Sequence, residues 1–134
     1  MLGRFGWKAG QPTVLQQSAE AFAGDIGISN WIVPRPYGDC TERQQECRSA
    51  PHGGSKAKPA EEINRNMLEL VAFYARNLAV PARREPASAE VLAGRELFHA
   101  AGCASCHVPS HMTGESTPDP HLKHQRIWPY TDLL

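Results

Sequence analysis

Neither sign of charge is in excess in this chain: 14 Lys and Arg face 14 Asp and Glu across 134 residues. Such a balance builds no field to draw in nucleic acid or an anionic membrane surface, so neither is expected as a partner. Long hydrophobic runs are missing too. No stretch approaches the roughly 20 apolar residues of a membrane span, and the N-terminus lacks the basic-then-apolar layout of a signal peptide. No β-pattern of consequence is visible either. A mean hydropathy of −0.44, together with 11 Pro and 11 Gly, argues against a large compact core and for much irregular structure.

Cysteine is also scarce, with four in the chain, and two of them stand in one stretch, Gly102-Cys103-Ala104-Ser105-Cys106-His107. Two thiols separated by two residues, followed at once by histidine, form the attachment sequence of a c-type haem. Cys103 and Cys106 would form thioethers to the two vinyl groups on one porphyrin edge, and His107 would reach the iron as proximal ligand. Two rival chemistries use the same cysteine pair. Zinc needs a second ligand pair, and Cys40 with Cys47, six residues intervening, matches poorly. A thioredoxin-like redox pair would open a helix after a strand, whereas here the motif follows a helical pattern. The expected cofactor is therefore one covalent haem c. Attachment of this kind takes place outside the cytoplasm, so the missing leader implies that Met1 is not the start of the complete protein.

Along the chain, Gly3 to Gly10 mixes glycine with aromatic and basic residues and reads as a loop. The spacing of Val14, Leu15, Ala19, Phe22 and Ala23 predicts a helix from about Pro12 to Ala23, stopped by Gly24. Asp25 to Pro59 reads as a long irregular loop with one apolar cluster, Trp31 to Pro34, and such loops are usually functional or pinned. Cys40 and Cys47 could supply the pin as a disulfide, contributing about 2 to 3 kcal/mol, or stand as two free thiols; an oxidising compartment favours the pair. Ile63, Met67, Leu70, Val71, Tyr74 and Leu78 predict the strongest helix, from Glu61 to Leu78. Ala82 to Pro86 is a charged, proline-bounded linker, which puts a boundary near Pro86. Ser88 caps a last helix carrying Val91, Leu92, Leu97 and Phe98, and Gly102 stops it. Leu97 and Phe98 are thereby placed beside the macrocycle, where they would exclude water. Beyond His107 no periodicity is visible.

Several separated segments in one order resemble the bacterial di-haem oxidoreductases, thiol-oxidoreductase-like peroxidases related to di-haem cytochrome c peroxidases. The segments are GRFGWKAGQPTVLQQSAEAFAGDIGIS, CTERQQEC, ELVAFYARNLAVPARR, GRELFHAAGCASCHVP and the closing IWPYTDLL. The resemblance runs nearly end to end. It implies a mainly α chain: a helical, loop-rich inter-haem segment over 1–86, then an incomplete cytochrome c-like haem domain over 87–134. Members carry two haem motifs and this chain has one, so it resembles the part that begins between the haems and stops within the second haem domain. A bacterial periplasmic location, peroxide as substrate, and a partner in the first haem domain or a separate redox protein follow from the same resemblance.

The sixth iron ligand stays open. Met112 lies five residues past His107, and about 17 Å of extended chain is short for rounding the porphyrin edge and turning back. His121 and His124 have the reach but also read as exposed loop histidines. Met67 is a third candidate, although a helix-stripe methionine reads first as core. Trp7, bracketed by Arg4 and Lys8, could stand between redox centres or near haem propionates, and reads otherwise as an amphipathic surface tryptophan. Glu115 and Asp119 receive no role. The expected function is an electron-transfer segment of a di-haem peroxidase-like oxidoreductase. Two alternatives remain: a haemless structural or interaction segment whose CxxC binds zinc or forms a disulfide, and a self-sufficient monohaem electron carrier.

Overall fold

Thr13 opens the first helix, α1 (Val14–Ile26): its backbone is extended and its hydroxyl accepts the Gln16 N–H at 3.1 Å. The structure is a computed structural model that describes residues 2–54 and 61–132. Pro12 lies outside α1, two residues before its start. Gly24 does not stop the helix; Gly27 does, in left-handed backbone at φ 70° where a Cβ is penalised. The Ile28 N–H then turns back to the Phe22 carbonyl at 2.8 Å.

The chain divides into two compact units, Met1–Ala79 and Val80–Leu134. In the first, the irregular stretch after α1 is held by side chains that replace backbone partners. Asn30 is fully buried; its amide donates to the Ala19 carbonyl at 2.9 Å, and its Oδ1 accepts the N–H groups of Ile32 and Val33 at 3.1 and 2.9 Å. Ser29, equally buried, gives its N–H and hydroxyl to one oxygen of Glu62 at 2.8 and 3.0 Å. The other Glu62 oxygen accepts the Gly53 N–H at 2.7 Å. Buried polar groups are tolerated only when paired in this way. A short helix, α2 (Gln45–Arg48), interrupts the expected loop, and residues 55–59 of that loop lie outside the described ones. Cys40 and Cys47 stand side by side with Cα atoms 6.2 Å apart, inside the usual disulfide span of about 4.4–6.8 Å.

The strong helix is α3 (Arg65–Arg76), which starts four residues later than its apolar stripe suggested. Glu62 is committed to the clamp on Ser29 and Gly53, and Asn64 supplies the cap, accepting the Met67 N–H at 2.9 Å. The buried face also differs from the stripe. Leu68 and Ala72 are fully buried, whereas Met67, Leu70, Tyr74 and Leu78 are more than half exposed. Leu68 packs into the core with Ala19, Ala23, Val33 and Ile63, because the two alanines of α1 leave room for close approach. Met67 is therefore not a core residue.

In the second unit Ser88 caps α4 (Ala89–Ala100), accepting the Val91 N–H at 3.3 Å. Gly102 follows at φ 75° and turns the chain into the 3₁₀ turn Cys103–Ser105. A minimal antiparallel pair, β1 (His111–Met112) and β2 (Arg126–Ile127), pairs His111 with Ile127 and Met112 with Arg126. It escaped detection because two residues are too few to show a period. The linker expected to end at Pro86 lies wholly in this unit: Arg83 stacks over the Trp128 and Tyr130 rings, 5.4 and 5.5 Å from their centroids. The described residues are thus mainly helical.

Two outcomes are expected of the first unit. Asn30→Ala removes the tie to the Ala19 carbonyl, strands the Ile32 and Val33 N–H groups, and should cost about 2–3 kcal/mol in a urea melt. At Glu62, desolvation raises the carboxyl's pKa, but the N–H groups of Ser29 and Gly53, the Ser29 hydroxyl and nearby His52 outweigh it and hold it below the ordinary value. Its stabilising contribution is therefore complete above the unfolded carboxyl's pKa and lost as pH falls through the folded one. In thermal melts across pH 7 to pH 3, Glu62→Gln should melt lower at neutral pH, and the gap should close toward the acid end.

Candidate functional site

The left-handed turn at Gly102 stops α4 and lays Cys103, Cys106 and His107 on one tight bend. The His107 N–H bonds to the Cys103 carbonyl at 2.9 Å, which fixes the histidine relative to the first cysteine. Both thiols are free and exposed, and His107 is exposed beside them. Most free cysteines are buried, so an exposed pair on a backbone-locked turn is set up for chemistry from outside the fold.

The ring of His107 is oriented from far along the chain. Its Nδ1 lies 3.0 Å from the Tyr130 carbonyl, and a carbonyl only accepts, so Nδ1 carries the proton. In the neutral ring Nε2 then keeps its lone pair, the tautomer required of a metal ligand. Phe98 packs edge-on to both rings, its centroid 6.4 Å from His107 and 5.3 Å from Tyr130. A second histidine repeats the device, with His111 Nε2 2.9 Å from the Thr131 carbonyl. Beside this cluster is an open cavity of about 540 Å³, whose apolar wall includes Val91, Leu92, Phe98 and Tyr130, with Arg83 and Arg95 at its border. Its mixture suits an apolar body bearing an anionic group.

The remaining candidates lie elsewhere. Leu97 is 68% exposed, apart from the cavity wall that Phe98 joins. His124 is held by Glu115, whose other oxygen takes Lys123 at 3.1 Å, so its Nε2 is already engaged. His121 sits in the 3₁₀ turn Pro120–Leu122, and Met112 is exposed in β1. Met67 on α3 belongs to the first unit, as do Arg4 and Trp7. That opening loop closes on itself, the Arg4 and Phe5 N–H groups both reaching the Gln11 carbonyl at 2.9 Å, and Trp7 at its tip is 99% exposed. Among the described residues no three His, Cys, Asp or Glu side chains gather to hold a metal ion. A zinc site made from the cysteine pair would need such a group; a haem iron takes four ligands from the porphyrin and needs far less from the protein.

Tyr130, His111 and Arg83 were not singled out by sequence. The His107 to Tyr130 link spans 23 residues of aperiodic chain, and no spacing rule reaches so far.

Fold and turn together define a mainly helical protein with an exposed Cys-x-x-Cys-His bend fit for a redox cofactor. The chain belongs to the family described as di-haem oxidoreductase, putative peroxidase, whose family model matches residues 1–134. Compared with the curated proteins and with the solved structures, it shows no match. Haem is accordingly the family's cofactor, and an oxidoreductase implies redox partners. No helix among the described residues is long and apolar enough to cross a membrane.

The exposed thiols generate a simple expectation. In protein made without haem maturation, both Cys103 and Cys106 should react with a maleimide under native conditions, and mass mapping should find Cys40 and Cys47 joined. Alkylation of all four without reduction would refute the pairing.

Proposed function

We propose that this chain is an electron-transfer segment of a di-haem peroxidase-like oxidoreductase, carrying one c-type haem on residues 102–107. Cys103 and Cys106 attach it, and His107 is the proximal ligand. The observation that supports this most directly is the His107 ring itself: its Nδ1 proton is committed to the Tyr130 carbonyl, leaving Nε2 for iron on a turn that also presents two exposed thiols.

The haem supplies one-electron chemistry when bound. The protein's part is to hold, orient and shield. Gly102 sets the bend, the Cys103 carbonyl and His107 N–H keep thiol and ligand in register, and Phe98 packs an apolar ring against the ligand. The second unit, Val80–Leu134, serves as a cytochrome c-like haem domain and the first, Met1–Ala79, as the segment between haems. In this reading the family's other haem is carried by a partner domain, since the chain has one Cys-x-x-Cys-His motif and the family is di-haem. Haem c and the Cys40–Cys47 pairing both suit the periplasm.

Exported in a host that matures c-type cytochromes, the chain should hold one haem that survives acid-acetone extraction and gives a pyridine haemochrome spectrum. A colourless product would sink the proposal. Cys103→Ala/Cys106→Ala should lose the covalent haem.

A second outcome comes from counting electrons. Peroxide cleavage takes two and one ferrous haem delivers one, so the segment alone should turn over peroxide slowly. Joined to a domain carrying the other haem, turnover per haem should rise by orders of magnitude; equal rates would show that one haem suffices.

A further inference from the structure

Tyr130 is a non-glycine residue in left-handed backbone, φ 52°. Side chains with a Cβ enter that region rarely, and they stay only where surrounding contacts over-determine them. The contacts here are specific. Arg83 lies over the Tyr130 ring at 5.5 Å, and Phe98 meets the ring edge-on at 5.3 Å. The neighbouring Thr131 carbonyl is taken by His111 at 2.9 Å. Their joint result is that the Tyr130 carbonyl faces His107 Nδ1 at 3.0 Å.

We infer that Tyr130 is a positioning residue for the haem iron, whose strained backbone aims its carbonyl at His107 and thereby sets how strongly that histidine donates to the metal. The inference rests on the proposed haem site. A hydrogen bond from Nδ1–H to a carbonyl increases the basicity of the ring and so of Nε2. A more basic axial ligand favours the ferric over the ferrous iron and lowers the reduction potential. Tyr130 acts through its backbone, so the phenol oxygen is dispensable while the conformation is not. His111 is the second fastening of the same segment, because the Thr131 carbonyl it binds adjoins the one that orients His107.

The test uses the full chain in its haem-loaded form and compares Tyr130→Phe with Tyr130→Val. Phenylalanine keeps the ring contacts and should leave the potential unchanged. Valine, β-branched and ill-suited to positive φ, should turn the carbonyl away. A tenfold shift of the oxidised-to-reduced equilibrium toward the ferrous form is expected in a spectroelectrochemical titration, about 59 mV upward for one electron. The iron–histidine stretching frequency of the ferrous protein should fall with it. Haem-loaded Tyr130→Val with the wild-type potential and stretching frequency would overturn the inference. Should the valine variant not accumulate, exchange of the His107 ring N–H in the wild-type haem protein decides: protection supports the carbonyl bond, and exchange at the rate of free imidazole overturns it. A wild-type chain with no covalent haem would instead refute the haem site itself, so the two failures are distinguishable.

Discussion

Backbone that belongs to no helix or sheet must still find hydrogen-bond partners once it is buried, and in this protein side chains supply them. Asn30 is the clearest case. One amide caps three backbone groups, tying the 30–33 turn to the Ala19 carbonyl of α1. Glu62 does the same from the other side, joining Ser29 to Gly53 through a single carboxylate. Without them the first unit would rest on a small core, Ala19, Ala23, Val33, Ile63 and Leu68 with a partly buried rim that includes Phe22 and Trp31, a modest apolar surface with which to order a chain so rich in Pro and Gly.

The second unit uses the same device for a different end. His107 and His111 bind successive carbonyls at Tyr130 and Thr131, while Thr113 Oγ1 donates to the Leu122 carbonyl and accepts the Gln125 N–H. In the first unit such ties hold a core together. Here, under the proposed function, they hold a metal ligand in one tautomer and one orientation. Helix α4 contributes no buried residue, and a short helix in water depends on an apolar partner for most of its stability. A covalently attached macrocycle would give it one, so folding and haem attachment would support each other.

The family and the Cys-x-x-Cys-His bend were legible from sequence because each is local or repeated along the chain. Cys103, Cys106 and His107 are named by adjacency, and several separated segments in one order point to one family. The three longer helices were legible from their apolar periods, and Ser88 as the cap of the last, whereas the expected bounds put the caps Thr13 and Asn64 inside their helices. Their limits were less so. Gly24 is a plausible stop that α1 ignores, because the left-handed turn falls at Gly27, and the start of α3 waits on Asn64 because Glu62 is drawn into a long-range clamp.

Adjacency and period thus determine the Cys-x-x-Cys-His motif, the mainly helical character and the family of this protein. Tertiary structure decides which face of α3 is buried, since the space left by Ala19 and Ala23 selects Leu68 and Ala72 over the more conspicuous stripe of Met67, Leu70 and Tyr74. It also decides the protonation of the His107 ring, through a carbonyl 23 residues away that is aimed by Arg83, Phe98 and a strained Tyr130 backbone. Neither could be read in advance: a hydrogen bond closed across an aperiodic stretch depends on where the folded chain returns, and local sequence carries no record of that distance.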